Sequence, residues 1–566
     1  MNSTTPAIVA QGAVRRLPRV ALLLLCIAYV LPGFFGRDPW KGADIAAFGY
    51  MAELSRGASD WMAPHLLGMP PEVDALLPYW LGAWAMQIAP AWIATDFAAR
   101  IPFGLLLALA LAATWYGTYY LARNTDAQPV AFAFGGEALP PDYACAMADG
   151  GLLAFIACLG LAQLSHETTP AMAQLCFAAL SFFALAALPY RTVMPVLAGV
   201  LGLVGLTLSG APTVALLLGS GGALIHGLDR SPGRKAASQQ IWWAAGIALI
   251  TALVAWLALR LDLWRWRIEL PEANWTEWRS LGRLLLWFTW PAWPLALWTV
   301  WRWRHQLIRR AMPSRHLAVP LWLAGIAIGA TLTTGSADRS LLLALPALAA
   351  LAAFSLPTLK RSVSALVDWF TLLFFTGWAV VIWVIWIALQ TGVPQQPAAN
   401  VARLAPGFQH SFSLLPFLIA AVATLAWAWL VKWRVGRHRS AIWKSLVLPA
   451  GGATLCWLLL MTLWLPLLDF ARSYAPLVHR AMVIMPRATC IETHGLSRGQ
   501  IAAFQLHGHV RVNIIDAQGS CPWLVVHKDA LNTLSKSVDL ANWKLQGNIR
   551  HPIDRDEDLL IYRRVN

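Results

Sequence analysis

Two aspartates standing six residues apart, just past a long apolar run, are the first residues whose types and spacing could do chemistry. Asp38 and Asp44 follow the run LPRVALLLLCIAYVLPGFFG and lie in GRDPWKGADIAAFGYMAELSRGASDWMAPHLLGMPPEVDALL, residues 36–77. A carboxylate at a membrane exit can take the proton of an acceptor hydroxyl while the other substrate stays anchored in lipid. The bland alternative is a pair of solvated charges that favour a helix N-terminus. The rest of the chain decides between them.

Hydrophobic residues make up 58% of the chain and charged residues 13%, with 32 tryptophans and a net charge of +15. A soluble domain carries about twice that charge fraction. The composition is that of a polytopic membrane protein, with tryptophan where the interface favours it. The positive charge comes in short clusters between apolar spans, such as RWRHQLIRRAMPSRH and KWRVGRHRSAIWK. That is the positive-inside pattern, so anionic membrane lipid is implied as a partner and nucleic acid is not. Arg15, Arg16 and Arg19 place the N-terminus inside and Asp38 outside. The first span has no clear cleavage site after it and reads as an anchor.

Residues 39–56 are predicted to be a helix lying on the membrane, residues 76–93 an interfacial segment, and 98–122 the second span. Residues 124–148, with Glu137, Pro140, Pro141 and Asp142, read as a cytoplasmic insertion. Further spans are expected near 149–165, 170–188, 191–209, 211–228, 240–261, 283–302, 316–334, 340–356, 366–391, 414–432 and 443–468. That makes about thirteen, several of them short for a hydrocarbon core about 30 Å thick. The expected fold is mainly α: a polytopic helix bundle over residues 1–468, its first outer loop (36–97) carrying the site. An odd number of spans puts residues 469–566 outside as a small α/β domain. There VRVNIID, PWLVVH and DLLIYRR read as strands and LSRGQIAAFQLHG as a helix.

Of seven cysteines, Cys26, Cys158, Cys176 and Cys456 fall in spans and Cys145 in the inner loop. Cys490 and Cys521 fall in the outer domain, where an oxidising compartment favours a disulfide; two buried free thiols are the alternative. No phosphate-binding glycine loop, dinucleotide fingerprint or HExxH motif stands on a suitable element, which disfavours a nucleotide-driven pump. Few charges interrupt the spans, whereas a secondary transporter carries them near mid-membrane. The charges sit at the outer span ends.

The order of pieces resembles the polyprenyl-phosphate-dependent glycosyltransferases of the GT-C class. It looks closest to the branch that holds the lipid A aminoarabinose transferases and the protein O-mannosyltransferases. That branch has an Asp after its first span in a motif like RxDExRYAEIAREM, then a segment like DWLVPHLNG. This chain has Arg37-Asp38, then Ala43-Asp44-Ile45-Ala46, then SDWMAPHLLG at 59–68. LPYWLGA at 77–83 and FAARIPFGLLLALAL at 97–111 continue it, and HETTPAM at 166–172 is a weaker match. TLSGAP at 207–212 and TGSADRSLLLALPALA at 334–349 correspond by position. The departures fall on charged positions: Pro39 follows Asp38 where the family has an acid, and two family lysines are absent, the segments reading PPEVDALLP and Ser209-Gly210-Ala211-Pro212.

The resemblance implies sugar transfer from a polyprenyl-phosphate donor to a lipid or cell-envelope glycan acceptor at the periplasmic face of a bacterial inner membrane. Asp38 would be the base, and Asp44 would orient the loop or coordinate a metal. With the lysines gone, Arg37, Lys41, Arg56 and Arg339 are the candidates to hold the donor phosphate. His166 and Glu167 are candidates for an acceptor or metal site, with a histidine capped by its neighbours as the alternative. No cofactor is fixed by the sequence; a divalent cation at the phosphate is the one this chemistry admits. The tryptophans of 264–278 could stack on sugars, though interface anchoring is their commoner use. A lipid-linked sugar flippase and a catalytically inactive relative acting by interaction are the competing readings; a flippase should show repeated halves, and none is evident.

Overall fold

The structure is a computed structural model and describes residues 5–229, 237–265, 274–308, 314–335, 337–435, 441–515, 521–537, 542–554 and 557–565. Parts of both basic runs and residues 266–273 of the tryptophan-rich segment lie outside these. Apolar stretches in lipid can satisfy their backbone only internally, so they form helices. Among the described residues seven helices are long and apolar enough to cross a membrane: Thr95–Ala122, Pro170–Ala187, Gln240–Arg260, Arg315–Leu332, Arg361–Thr391, Leu414–Arg434 and Ile442–Leu460. Shorter apolar helices include Arg19–Val30, Val193–Leu208 and Pro212–Leu228.

The helices that position the site are labelled here in chain order. They are α1 (Arg19–Val30), α2 (Ala43–Ser55), α3 (Leu77–Ile88), α4 (Thr95–Ala122), α5 (Pro140–Ala157), α6 (Pro170–Ala187), α7 (Leu465–Arg472), α8 (Ala475–Ile484) and α9 (Arg498–His507). Three expectations change. The stretch 124–148 is not one insertion, because α5 starts at Pro140 and is buried from Tyr143 onward apart from Cys145. Pro140 and Pro141 look like breakers, but in a first turn proline gives up only an N–H that has no helical partner. Asp142 shares that turn, where the helix dipole favours a negative charge.

The expected span 283–302 is broken into Trp275–Phe288 and Ala292–Arg302 around Thr289, Trp290 and Pro291. The expected span 443–468 ends at Leu460, and α7 follows after a turn. The boundary at 469 therefore falls inside α7.

The third change concerns α2. It was expected on the membrane surface, yet residues Asp44, Ile45 and Ala47 through Leu54 are all buried. A helix apolar on every side is a core helix, since no face prefers water. The C-terminal unit covers it with α9. A Cβ added at Gly49 would lie 2.7 Å from Ala502 Cβ, and one at Gly499 would lie 3.1 Å from Ile45. Only glycine lets the two helices come this close. Arg498 donates to the Pro70 carbonyl at 3.0 Å, and Gln505 donates to Glu53 at 2.8 Å.

The C-terminal unit is a five-stranded sheet in the order β2-β1-β3-β5-β4. Its strands are β1 (Cys490–His494), β2 (Arg511–Ile514), β3 (Trp523–His527), β4 (Trp543–Arg550) and β5 (Asp558–Arg564). Strands β2, β1 and β3 run parallel, and β3, β5 and β4 antiparallel. Strands β1 and β4 were not read from the sequence. Their segments CIETH and WKLQGNIR are too polar to stand out, and pairing with apolar neighbours is what makes them strands.

Cys490, opening β1, is joined to Cys521 just before β3, with Cα atoms 5.5 Å apart. The bond closes a sequence separation of 31 and is worth about 3–4 kcal/mol on the chain-entropy account. Reducing the purified protein should therefore melt this unit earlier. Mass spectrometry of the unreduced chain should find no alkylatable thiol at either position; two free thiols would refute the bond.

Candidate active site

The loop from α1 to α2 buries Phe34, Arg37 and Trp40 and leaves Leu31 and Phe35 exposed. Gly33, at φ +94°, leaves no room for a Cβ, which would sit 2.6 Å from the Trp457 ring. Four residues on, the Arg37 side chain is completely buried, its Nη2 donating to Asp44 Oδ2 and to the His166 carbonyl, both at 2.8 Å. Its guanidinium lies 4.6 Å from the Trp40 ring. Asp44 spends its whole acceptor capacity here. Oδ2 takes Arg37 and the Trp40 backbone N–H (3.2 Å), and Oδ1 takes the backbone N–H and hydroxyl of Thr168, at 2.7 and 2.8 Å. An ionised carboxylate offers about four lone-pair sites, so none is left for a metal or a proton in transit. Asp44 is the post that fixes the loop.

Asp38 is half-buried and keeps one oxygen open: Oδ2 accepts from Ser473 Oγ at 3.0 Å. Its neighbours come from four parts of the chain. Asp469 of α7 accepts the Trp40 indole N–H at 2.8 Å. Burial, and then the nearby Asp38, push the Asp469 carboxyl up to about 7. Arg100 of α4 is 2% exposed, and Asp38, Asp44, Asp96 and Arg37 all lie within its electrostatic reach. His507, closing α9, faces Asp38 and Asp96 with a buried Nε2 that makes no hydrogen bond, and burial holds its ring below the usual histidine range.

The other candidates divide. Glu167 accepts from Arg339 Nη2 at 3.1 Å and from Gln163 at 3.2 Å. Burial, with Asp44 close by, raises its carboxyl. Buried Arg37, Asp44 and Glu167 and the part-exposed Arg339 thus form one charge cluster. His166 has Nε2 3.1 Å from the Tyr29 carbonyl and Nδ1 between the Ala162 carbonyl (2.5 Å) and the Ser165 hydroxyl (3.2 Å). One ring nitrogen can donate to a carbonyl, and if Nε2 is the donor, Nδ1 can accept from Ser165. The ring lies within those of Tyr29, Phe34 and Trp457. Burial drives it down to about 4, so it stays neutral and structural.

Lys41 is engaged 2.7 Å from Asp554 in the C-terminal unit. Arg56 is half-exposed beside Glu53, at the far end of α2 from Asp44, and does not join the cluster. Among the described residues no group of three His, Cys, Asp or Glu is arranged to hold a metal ion.

Between α1 and α4 lies a cleft of about 800 Å³, walled by apolar side chains such as Leu23, Ile27, Phe34, Ile101 and Leu105. Arg100 stands at the end near Asp38, and Arg16 and Arg19 stand at the other. Several buried guanidinium nitrogens have no hydrogen-bond partner, Arg37 Nε and Nη1, Arg100 Nη2 and Arg339 Nε, and of these three arginines Arg100 lines the cleft. Arg100 Nη2 is 3.4 Å from Asp96 without a hydrogen bond. Buried donors are nearly always satisfied, so the unbonded guanidinium nitrogens of Arg37 and Arg100, which lie within electrostatic reach of one another, suit an anion.

The whole chain matches two structures of ArnT from Cupriavidus metallidurans, one in the apo state and one bound to undecaprenyl phosphate. Each has a TM-score of 0.55 and covers 96% of this chain and 98% of that one, at 14% and 12% identity. The chain has the ArnT fold. No protein-family model matches it, and neither does any curated protein. The ArnT likeness therefore rests on tertiary structure and on the loop motif, and it reaches over the C-terminal sheet as well as the helices.

Within the ArnT fold, sequence reasoning missed Arg100 and Asp469, and it read His507, with His494 and His509, as one of several scattered surface histidines although it is part-buried. Arg100 carried a signal, because an arginine inside an apolar helix is expensive and usually functional. Asp469 carried none: it becomes notable only through what the fold puts beside it.

Proposed function

We propose that the protein transfers a sugar from a polyprenyl phosphate to a hydroxyl of a lipid or cell-envelope glycan, at the outer face of a bacterial inner membrane. The observation that carries this is Arg100, buried in the wall of an apolar cleft with Nη2 making no hydrogen bond, and the buried Arg37 within its electrostatic reach. A polyprenyl phosphate has the same two-part chemistry, an anion on an apolar tail, and the similar ArnT structure binds undecaprenyl phosphate.

In this reading Asp38 accepts the acceptor's proton as its oxygen attacks the anomeric carbon. The bond from that carbon to the phosphate oxygen breaks, and its electrons leave on the phosphate. Arg37, Arg100 and Arg339 supply positive charge where that negative charge grows. With the two family lysines absent, these arginines are the cations proposed for the phosphate, and a divalent cation could supply the same charge. Asp44 and Glu167 hold Arg37 and Arg339 in place.

Purified protein should turn over at least one member of a panel of polyprenyl-phosphate sugars with lipid acceptors. Arg100→Met keeps the apolar stem and loses the donors. Charge-assisted hydrogen bonds are worth about 1.5–3 kcal/mol, so donor affinity should fall about 10- to 150-fold. Unchanged affinity in the variant would remove Arg100 from the phosphate site.

A further inference from the structure

We propose that Ser473, at the joint between α7 and α8, is a positioning residue for the reaction: its hydroxyl holds one oxygen of Asp38 and leaves the other for the acceptor. This rests on the function proposed above and names the group that sets its base in place.

Ser473 is fully buried, and the residue it holds is 435 positions away in the chain. Its backbone N–H closes α7 on the Asp469 carbonyl at 2.8 Å. Its Oγ accepts the Ala475 backbone N–H at 3.0 Å, where α8 opens. That second bond decides which way the hydroxyl points. A serine hydroxyl has one proton to give, and an ionised carboxylate can only accept. The proton on Oγ therefore goes to Asp38 Oδ2, at 3.0 Å.

The C-terminal unit holds Ser473 from behind. His551, buried just after β4, has Nδ1 facing the backbone N–H groups of Ile553 and Asp554 at 3.3 and 3.2 Å. Nδ1 is thus an acceptor, and this network assigns the ring proton to Nε2. From there it is donated to the Ser473 carbonyl at 3.1 Å. Asp554 pairs with Lys41 at 2.7 Å, and the Lys41 backbone N–H donates to the Arg472 carbonyl, also at 2.7 Å. Residues 551–554 therefore grip both partners, Ser473 directly and Asp38 through the loop three residues beyond it.

Such a grip matters for a base. The terminal torsion of an aspartate has broad wells, so an unheld carboxylate swings. A general base works only within about 2.6–3.2 Å of the proton it takes. With Oδ2 held by Ser473, the plane of the carboxylate is set. Oδ1 has no hydrogen bond in the structure and is the oxygen left for the acceptor. The acceptor's proton passes to Oδ1 as its own oxygen bonds to the anomeric carbon. The sugar–phosphate bond breaks, and its electrons leave on the phosphate. Ser473 makes no bond to substrate.

The test uses the full-length protein in detergent. Ser473→Ala removes a single oxygen atom and should stay folded. Infrared difference spectra of Ser473→Ala against the unmodified chain should show one carboxyl band displaced. The same substitution made in the Asp38→Asn background should displace none. With a polyprenyl-phosphate sugar as donor, Ser473→Ala should lower kcat about 100-fold and leave the donor KM unchanged. Ser473→Thr keeps the hydroxyl and should recover most of the turnover. A displaced band in both backgrounds, or in neither, overturns the hold on Asp38 whatever the turnover does. A lowered melting temperature with unchanged kcat would make Ser473 only the cap of α8 and overturns the positioning role. A folded Thr variant as slow as the Ala one overturns that role too. A displaced band with no turnover from any donor in the unmodified protein overturns the proposed function, and the catalytic part of this proposal with it.

Discussion

Asp38→Asn should abolish sugar transfer and leave the protein folded and inserted. The structure says why the two effects separate. Asp38 is half-buried and its side chain takes one hydrogen bond, from Ser473 Oγ, which an Asn oxygen can accept as well. Asn can neither accept a proton nor carry negative charge. Losing a general base costs about a hundred- to ten-thousand-fold in rate. A residue that merely favours a helix N-terminus would cost under about 1 kcal/mol of stability and no chemistry. Melting in detergent should match the unmodified protein. Near-normal turnover of Asp38→Asn in a working assay would overturn the mechanism.

Asp44→Asn should do the reverse and fail as a fold. The amide can serve Thr168 with its oxygen, but its NH₂ would then meet the donors of Arg37 and Trp40. Arg37, with a fully buried side chain, would lose its counter-charge. Breaking one side of a buried pair costs about 3–5 kcal/mol, a large share of any domain's stability. Removing both sides together, as Arg37→Met with Asp44→Leu, is often near neutral, so the double variant should recover most of the folded yield. It should still turn over nothing, because Arg37 belongs to the proposed phosphate site. If Asp44→Asn melts within about 1 kcal/mol of the unmodified protein, the loop is not held as described.

These two aspartates show what kind of information was legible in the sequence. Their place after the first apolar run and the motif around them located the site, because hydropathy and local spacing are properties of a short stretch. Membrane class, the change of composition near residue 469 and the strand DLLIYRR were legible for the same reason. The resemblance offered Asp38 as the base and left Asp44 between orienting the loop and holding a metal, and what separates the two was not legible. One is an open carboxyl and the other is saturated, and the donors that saturate Asp44 include Thr168, which is 124 residues away.

Tertiary packing decided the rest. A surface reading of α2 failed because nothing local shows that α9 will cover it. The expected spans 283–302 and 443–468 are apolar throughout yet broken, since hydropathy measures partition and not continuity of the helix. Arg100, Asp469 and His507 come to Asp38 from a span, a short connecting helix and the C-terminal unit. A side chain's partners are chosen by how helices stack, and its proton affinity follows from the water those partners exclude. Neither quantity is written in the order of the residues. From the sequence alone the protein was a membrane enzyme candidate with an aspartate at an outer boundary; the fold alone joined that aspartate to buried arginines, an apolar cleft and a second acid.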